Sequence, residues 1–225
     1  PSKALPDGIS PRSASDRCRT GRLSLCLVWM VGLLPTRTVD AATLIGLLPD
    51  NRLMKFDADT PALVGPQVAL TDVGTDRIVA IDFRPATGRL YALGINDGTV
   101  ASRLYTVNPN TGVATLQATL AADPADTTEP FSGLRGSEFG IDFDPVGDQI
   151  LMVSDEGQNL RIDPDTGMVI TDANLTFRAA DESYGRNPEV LHVAYSDIRP
   201  GASATTLYGT DARWHRLVRL GGVGG

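Results

Sequence analysis

From residue 43 onward, short apolar runs alternate with polar residues and break at glycine, proline and acidic positions, the pattern of many short β-strands joined by tight turns. The runs come in matched sets. Val79-Ala80-Ile81-Asp82-Phe83 parallels Phe139-Gly140-Ile141-Asp142-Phe143, and each leads into a turn. Beyond the turn, Arg89-Leu90-Tyr91-Ala92-Leu93 parallels Gln149-Ile150-Leu151-Met152-Val153. A second hairpin follows in both places, at Ser102 to Val107 and at Gln158 to Ile162, with an earlier copy at Asn51 to Phe56.

The turns themselves repeat. Phe83-Arg84-Pro85-Ala86-Thr87-Gly88, Val107-Asn108-Pro109-Asn110-Thr111-Gly112 and Ile162-Asp163-Pro164-Asp165-Thr166-Gly167 share an apolar residue, a variable polar residue, then Pro-x-Thr-Gly. Degenerate copies stand at Phe143-Asp144-Pro145-Val146-Gly147-Asp148 and Phe56-Asp57-Ala58-Asp59-Thr60-Pro61. Proline presets φ for the first central position, an Asp or Asn before it bonds back to the turn backbone, and glycine takes the left-handed conformation that closes the hairpin. These are hairpin tips.

Two hairpins, or four short strands, recur with spacings of 51 and 56 residues between Leu53, Leu104 and Leu160, the longer one absorbing a polar loop from Ala121 to Ser137. That is the strand content of a propeller blade. The pattern predicts an all-β fold: a β-propeller-like array of four-stranded antiparallel blades, with a partial blade at 43–70, full blades near 77–120 and 138–172, and another from 190 onward. Small residues at Ala80, Gly140 and Ala194 fit innermost strands crowded around an axis. A β-sandwich or open solenoid is the rival. The chain begins on Pro1 and stops at Gly221 to Gly225 directly after a strand-like segment, so the expected array is incomplete, with three to four blades present and the C-terminal end truncated.

Ile81 to Tyr91, Ser102 to Gly112 and Ser154-Asp155-Glu156-Gly157-Gln158-Asn159-Leu160-Arg161 together resemble a family of secreted bacterial proteins known only as a domain of unknown function with propeller-like repeats. Order and spacing both match over nearly all of 43–225. The resemblance implies the fold and export; it carries over no activity and no catalytic residue.

Export is also readable from the N-terminal segment. Arg17, Arg19 and Arg22 precede an apolar run from Leu23 to Leu34, followed by Val39-Asp40-Ala41, which describes a secretory signal peptide. The run is too short to span a bilayer, which takes about 20 residues. Residues 1–41 are therefore read as a leader and 42–225 as the propeller-like domain, secreted or periplasmic, with no stable membrane span once the leader is cleaved. Six of the 20 basic and three of the 27 acidic residues lie in the leader, which leaves 14 against 24 and a net charge of −10. Such an acidic surface excludes nucleic acid as a partner. Cys18 and Cys26 also lie in the leader, so the remainder has no disulfide and no cysteine nucleophile.

Candidate chemistry is sparse. His192 and His215 sit in no catalytic context, no Gly-x-Ser-x-Gly elbow exists, and ligands for a zinc site are lacking; His192, in a strand-like run, reads as a structural histidine. Asp82 and Asp142 occupy equivalent positions in two blades. They either form part of an oxygen ring at one channel mouth, suited to Ca²⁺ or acid–base work, or bond backbone beside their turns. Asp155, Gln158, Asn159 and Arg161 form the best local candidate for a binding site, although Arg161 could merely pair with Glu156 or Asp163. Asp163 and Asp165 read as turn residues. The loops 121–137 and 173–189 add Glu129, Phe131, Arg135, Arg178 and Tyr184 as a possible rim. Two functions are compatible with this set. One is a binding or scaffold module that holds an unknown protein or glycan without a cofactor; the other is a Ca²⁺-dependent hydrolase or lactonase-like enzyme using channel carboxylates.

Overall fold

The structure, a computed structural model, describes residues 42–62 and 64–221. The leader read over 1–41, with both cysteines, lies outside the described residues. Among them there is no helix, and hence none long and apolar enough to cross a membrane.

Among the described residues four sheets follow one another along the chain, antiparallel but for one two-residue edge strand. Blade 1 contains β1 (Thr43–Leu48), β2 (Arg52–Asp57) and β3 (Val68–Ala69) in that spatial order. Blade 2 contains β4 (Arg77–Arg84), β5 (Arg89–Asn96), β6 (Ala101–Val107) and β7 (Ala114–Thr119), each paired with the next. β8 (Ala121–Ala122) leaves blade 2 and joins the edge of blade 3, which continues through β9 (Phe139–Asp144), β10 (Gln149–Ser154), β11 (Asn159–Ile162) and β12 (Met168–Asp172). Blade 4 contains β13 (Val190–Tyr195), β14 (Leu207–Asp211) and β15 (Arg216–Leu220). These limits agree with the blades predicted from the repeats. The first strands of blades 2, 3 and 4 lie side by side, β4 along β9 and β9 along β13.

Each interface between neighbouring blades has its own core, and period-2 alternation explains why. Tyr91 and Leu93 of β5 face blade 3, where they join Phe143, Ile150, Met152 and Leu160, while Leu90 and Ala92 face blade 1 and join Leu53 and Val73. In β10, Ile150 and Met152 face blade 2, whereas Leu151 and Val153 face Val190 and Leu207 of blade 4. A strand buried on both faces must be apolar at nearly every position, as Leu90 to Ile95 and Ile150 to Val153 are. Stacked faces with serial, sequence-local sheets make this a β-propeller-like array; the first and last sheets do not pair with each other among the described residues.

The turns behave as their composition requires. Asn108 accepts bonds from the N–H groups of Asn110 and Thr111 at 2.9 and 3.3 Å, and Asp163 does the same for Asp165 and Thr166 at 2.8 and 2.9 Å. Gly112 closes its turn at φ 77°. Its second duty is not visible in the turn itself. The Gly112 carbonyl accepts from Thr71 N–H at 3.0 Å, and Ala114 N–H donates to Thr71 at 3.1 Å, so the end of blade 1 is laced to the last strand of blade 2. Blade 3 repeats the device, with Ala121 N–H donating to Gly167 at 3.1 Å. The segment from Ala121 to Ser137, expected to be wholly loop, therefore begins as β8, paired in parallel with β12.

Two details of the repeat shift in register. Leu160 pairs with Met152 and Tyr105 with Ala92, and Met152 and Ala92 pair in turn with Ile141 and Ile81, so Leu160 corresponds to Tyr105 rather than to Leu104. Ala194 pairs with Tyr208 as Asp82 pairs with Tyr91 and Asp142 with Leu151, so Ala194 stands at the aspartate position, not at that of Ala80 and Gly140. The residue facing Gly140 is instead His192: a Cβ on Gly140 would lie 3.0 Å from His192 Cα and 2.4 Å from the Leu191 carbonyl. Close approach of two first strands is what excludes a side chain there.

Candidate functional site

The Ile-Asp-Phe segments of β4 and β9 bring two carboxyls together. Phe143 N–H donates to Asp82 at 2.8 Å, and one blade further on Tyr195 N–H donates to Asp142 at 2.6 Å. Each aspartate thus grips the first strand of the next blade one residue beyond its own counterpart. The chain of grips ends at Ala194, which has no carboxyl to offer. Asp82, bound to the N–H of the residue that follows Asp142, brings the two aspartates next to each other. Both are half-buried. Burial pushes Asp82 upward from the ordinary carboxyl range, and burial together with the Asp82 charge pushes Asp142 up to about 8. On the blade 4 side, Tyr195 is raised by burial first and then by Asp144 and Asp142.

Each of the two acids is thus bound to the backbone of the next blade. Of the three aligned positions in blades 2, 3 and 4, two are acidic and the third is Ala194. Among the described residues no group of three or more Asp, Glu, His or Cys side chains clusters as metal ligands do.

The remaining predicted site residues lie elsewhere. Asp82 and Asp142 stand near the turns that follow β4 and β9, whereas Asp155 and Gln158 belong to the turn at the opposite end of β10. Asp155 accepts from Ser137 N–H at 2.9 Å and from Ser137 Oγ at 2.7 Å; these bonds outweigh burial and hold its carboxyl below the ordinary range. Gln158 accepts from Arg135 N–H at 2.9 Å and donates to the Gly133 carbonyl at 3.1 Å. The pair fastens the 131–137 loop, whose Phe131 and Leu134 then pack on the blade 2–3 core. Arg161 pairs with Asp172 of β12 through two 2.8 Å bonds, not with Glu156 or Asp163. Asn159 donates to the Ala173 carbonyl at 3.3 Å, and its buried Oδ1 has no partner.

Asn159 lines a cleft of about 910 Å³ between blades 3 and 4, shared with Asp144, Arg178, Tyr195, Thr206 and Arg219. The volume is that of a small-ligand site. Of the other rim candidates, Glu129 and Arg135 pair loosely at 3.7 Å, and Tyr184 is exposed. His192, read as a structural histidine, is solvent-exposed on β13, and His215 takes a left-handed turn position at φ 51°.

Sequence reasoning missed an ion-pair cluster that joins blades 2 and 3. Arg84 is buried, donates to Asp148 at 2.9 and 2.6 Å, to Asp165 at 2.7 and 3.0 Å and to Tyr91 Oη at 3.2 Å, and so rivets blade 2 to two turns of blade 3. Asp165, read only as a turn residue, is one jaw of this clamp. A signal existed. Where the other Pro-containing turns carry Asn108, Asp144 or Asp163 before the proline, this one carries a cation.

Solved structures similar to the chain include a chain of a nidogen/laminin complex, with 17% identity, a TM-score of 0.43 and coverage of 79% of this chain and 54% of that one. The Cps50 (Swd1) β-propeller domain from Myceliophteria thermophila shows 12% identity, a TM-score of 0.38 and coverage of 79% and 66%. BamB from Moraxella catarrhalis shows 16% identity, a TM-score of 0.32 and coverage of 79% and 48%. The chain thus spans between about half and two thirds of the length of these relatives. No curated protein matches it. Residues 52–221 match the family described as Domain of unknown function (DUF4394), a span that runs from β2 to the end of β15, and the chain belongs to that family.

Proposed function

We propose that the chain is an extracytoplasmic binding or scaffold module that uses its rigid blades to hold a protein or glycan. The observation that carries this reading is how the two central carboxyls are used: Asp82 and Asp142 each hold one backbone N–H of the next blade. A Ca²⁺ site would instead have them converge with further oxygens at about 2.3–2.6 Å from one point. Support for export comes from the basic and apolar leader pattern, and the polar cleft between blades 3 and 4 offers a place for a ligand.

The alternative, a Ca²⁺-dependent hydrolase or lactonase-like enzyme, draws on the same acidic pair and makes an opposite prediction. The thermal midpoint of the full chain should be the same in calcium and in chelator. A rise in calcium that disappears in both Asp82→Asn and Asp142→Asn would transfer the pair to the enzymatic reading.

A further inference from the structure

We propose that Asp82 and Asp142 form a proton-binding pair that couples the packing of blades 2, 3 and 4 to pH. This goes beyond the binding-module reading and does not depend on what the module holds. The geometry comes first. The two side chains project from equivalent positions on the first strands of adjacent blades, and each fixes an N–H of the following strand, Asp82 that of Phe143, the residue next to Asp142. A change in either carboxyl therefore acts on two interfaces.

The charged and titratable groups of the three strands are few. β4 carries Asp82, Arg77, which pairs with Asp97, and Arg84, which is held by Asp148 and Asp165. β9 carries Asp142 and Asp144, whose negative charge opposes ionisation of Asp142, and β13 carries the half-buried Tyr195 phenol and the solvent-exposed His192. Neither Asp82 nor Asp142 makes an ion pair among the described residues. Two half-buried carboxylates on adjacent strands, without a cation, resist double ionisation.

The sign follows. Both carboxyls are raised in the folded chain, Asp142 to about 8, against 3.8 for an ordinary aspartate. Between those values the folded protein holds a proton that the unfolded chain has released, so stability is complete on the acid side and declines as pH rises through the folded value. With the proton in place, the carboxyls share a hydrogen bond across β4 and β9. Without it, two like charges press on the strands that join three blades. A protein outside the cytoplasm meets the pH of its surroundings directly, which is where such coupling would act.

Thermal midpoints of the full chain measured from pH 5.5 to 9 test this. The wild-type midpoint should fall by roughly 5 °C across the window, the size expected for about 2 kcal/mol in a chain of this length. Asp142→Asn keeps an oxygen for Tyr195 N–H and removes the titration, so its curve should be flat and lie above wild type at pH 9; Asp82→Asn should behave the same way. Carboxyl carbon shifts of wild type give a second readout, with one aspartate titrating well above 3.8, and this decides the matter even if a variant fails to fold. Parallel midpoint curves for wild type and both variants, or no aspartate titrating above about 5, would overturn the proposal.

Discussion

Arg84→Ala is expected to cost about 3 kcal/mol of folding free energy. The guanidinium side chain is only 10% exposed, and its removal breaks charge-assisted bonds to two aspartates and leaves Tyr91 Oη, in a 2% exposed residue, without its donor. The partners are less committed: Asp165 is 63% exposed, so Asp165→Asn should cost under about 1 kcal/mol as surface pairs do. Arg84→Lys keeps the charge but loses the planar fork that reaches both carboxylates and should recover less than half of the loss. Urea denaturation of the three variants measures this ranking. Equal small losses for all three would mean that the clamp is incidental to blade packing.

The second large effect concerns a single hydrogen atom. Gly112→Ala places a methyl 2.0 Å from the Ala69 carbonyl oxygen, at a residue with φ 77°. Backbone on both sides is fixed by the Thr71 bonds that tie blade 1 to blade 2, so relief requires the two blades to separate locally. A loss of more than about 3 kcal/mol is expected, from the clash added to the left-handed penalty. Gly88→Ala is the control. It has the same turn sequence and a φ of 66°, but its Cβ would meet nothing within 4 Å, so it should cost only about 1 kcal/mol. Comparing the two denaturation midpoints separates the turn's conformational demand from its role at the blade interface. If the two variants lose equally, the Thr71–Gly112 lacing contributes nothing.

The same contrast shows what could be read from residues alone. Pro-x-Thr-Gly identified the turns because φ preferences are local, and alternation in β5 and β10 revealed strands buried on both faces because pleating has a fixed period. Blade limits followed from those two signals. The role of Gly112 at the interface did not, since Gly88 and Gly112 occupy identical motifs and differ only in what another blade brings near. The carboxyl pair was half legible: repetition marked Asp82 and Asp142 as equivalent, but only the stacking of blades shows that they stand next to each other. That Ala194 stands at the aspartate position became visible only when cross-strand pairing fixed the register. Arg161 illustrates the same difficulty, for Asp172 is its neighbour only through the β11–β12 ladder.

Face-to-face stacking of consecutive sheets of three to five strands is the claim on which the rest stands, and one contact reports it directly. Tyr91 of blade 2 and Phe143 of blade 3 meet edge to face, with ring centroids 5.2 Å apart and planes at 65°. A double-mutant cycle with Tyr91→Leu and Phe143→Leu, read by urea denaturation, should give a coupling of about 1 kcal/mol between residues far apart in the chain. Losses that add to within about 0.3 kcal/mol would show that the two rings do not touch and that the blades are not stacked as described.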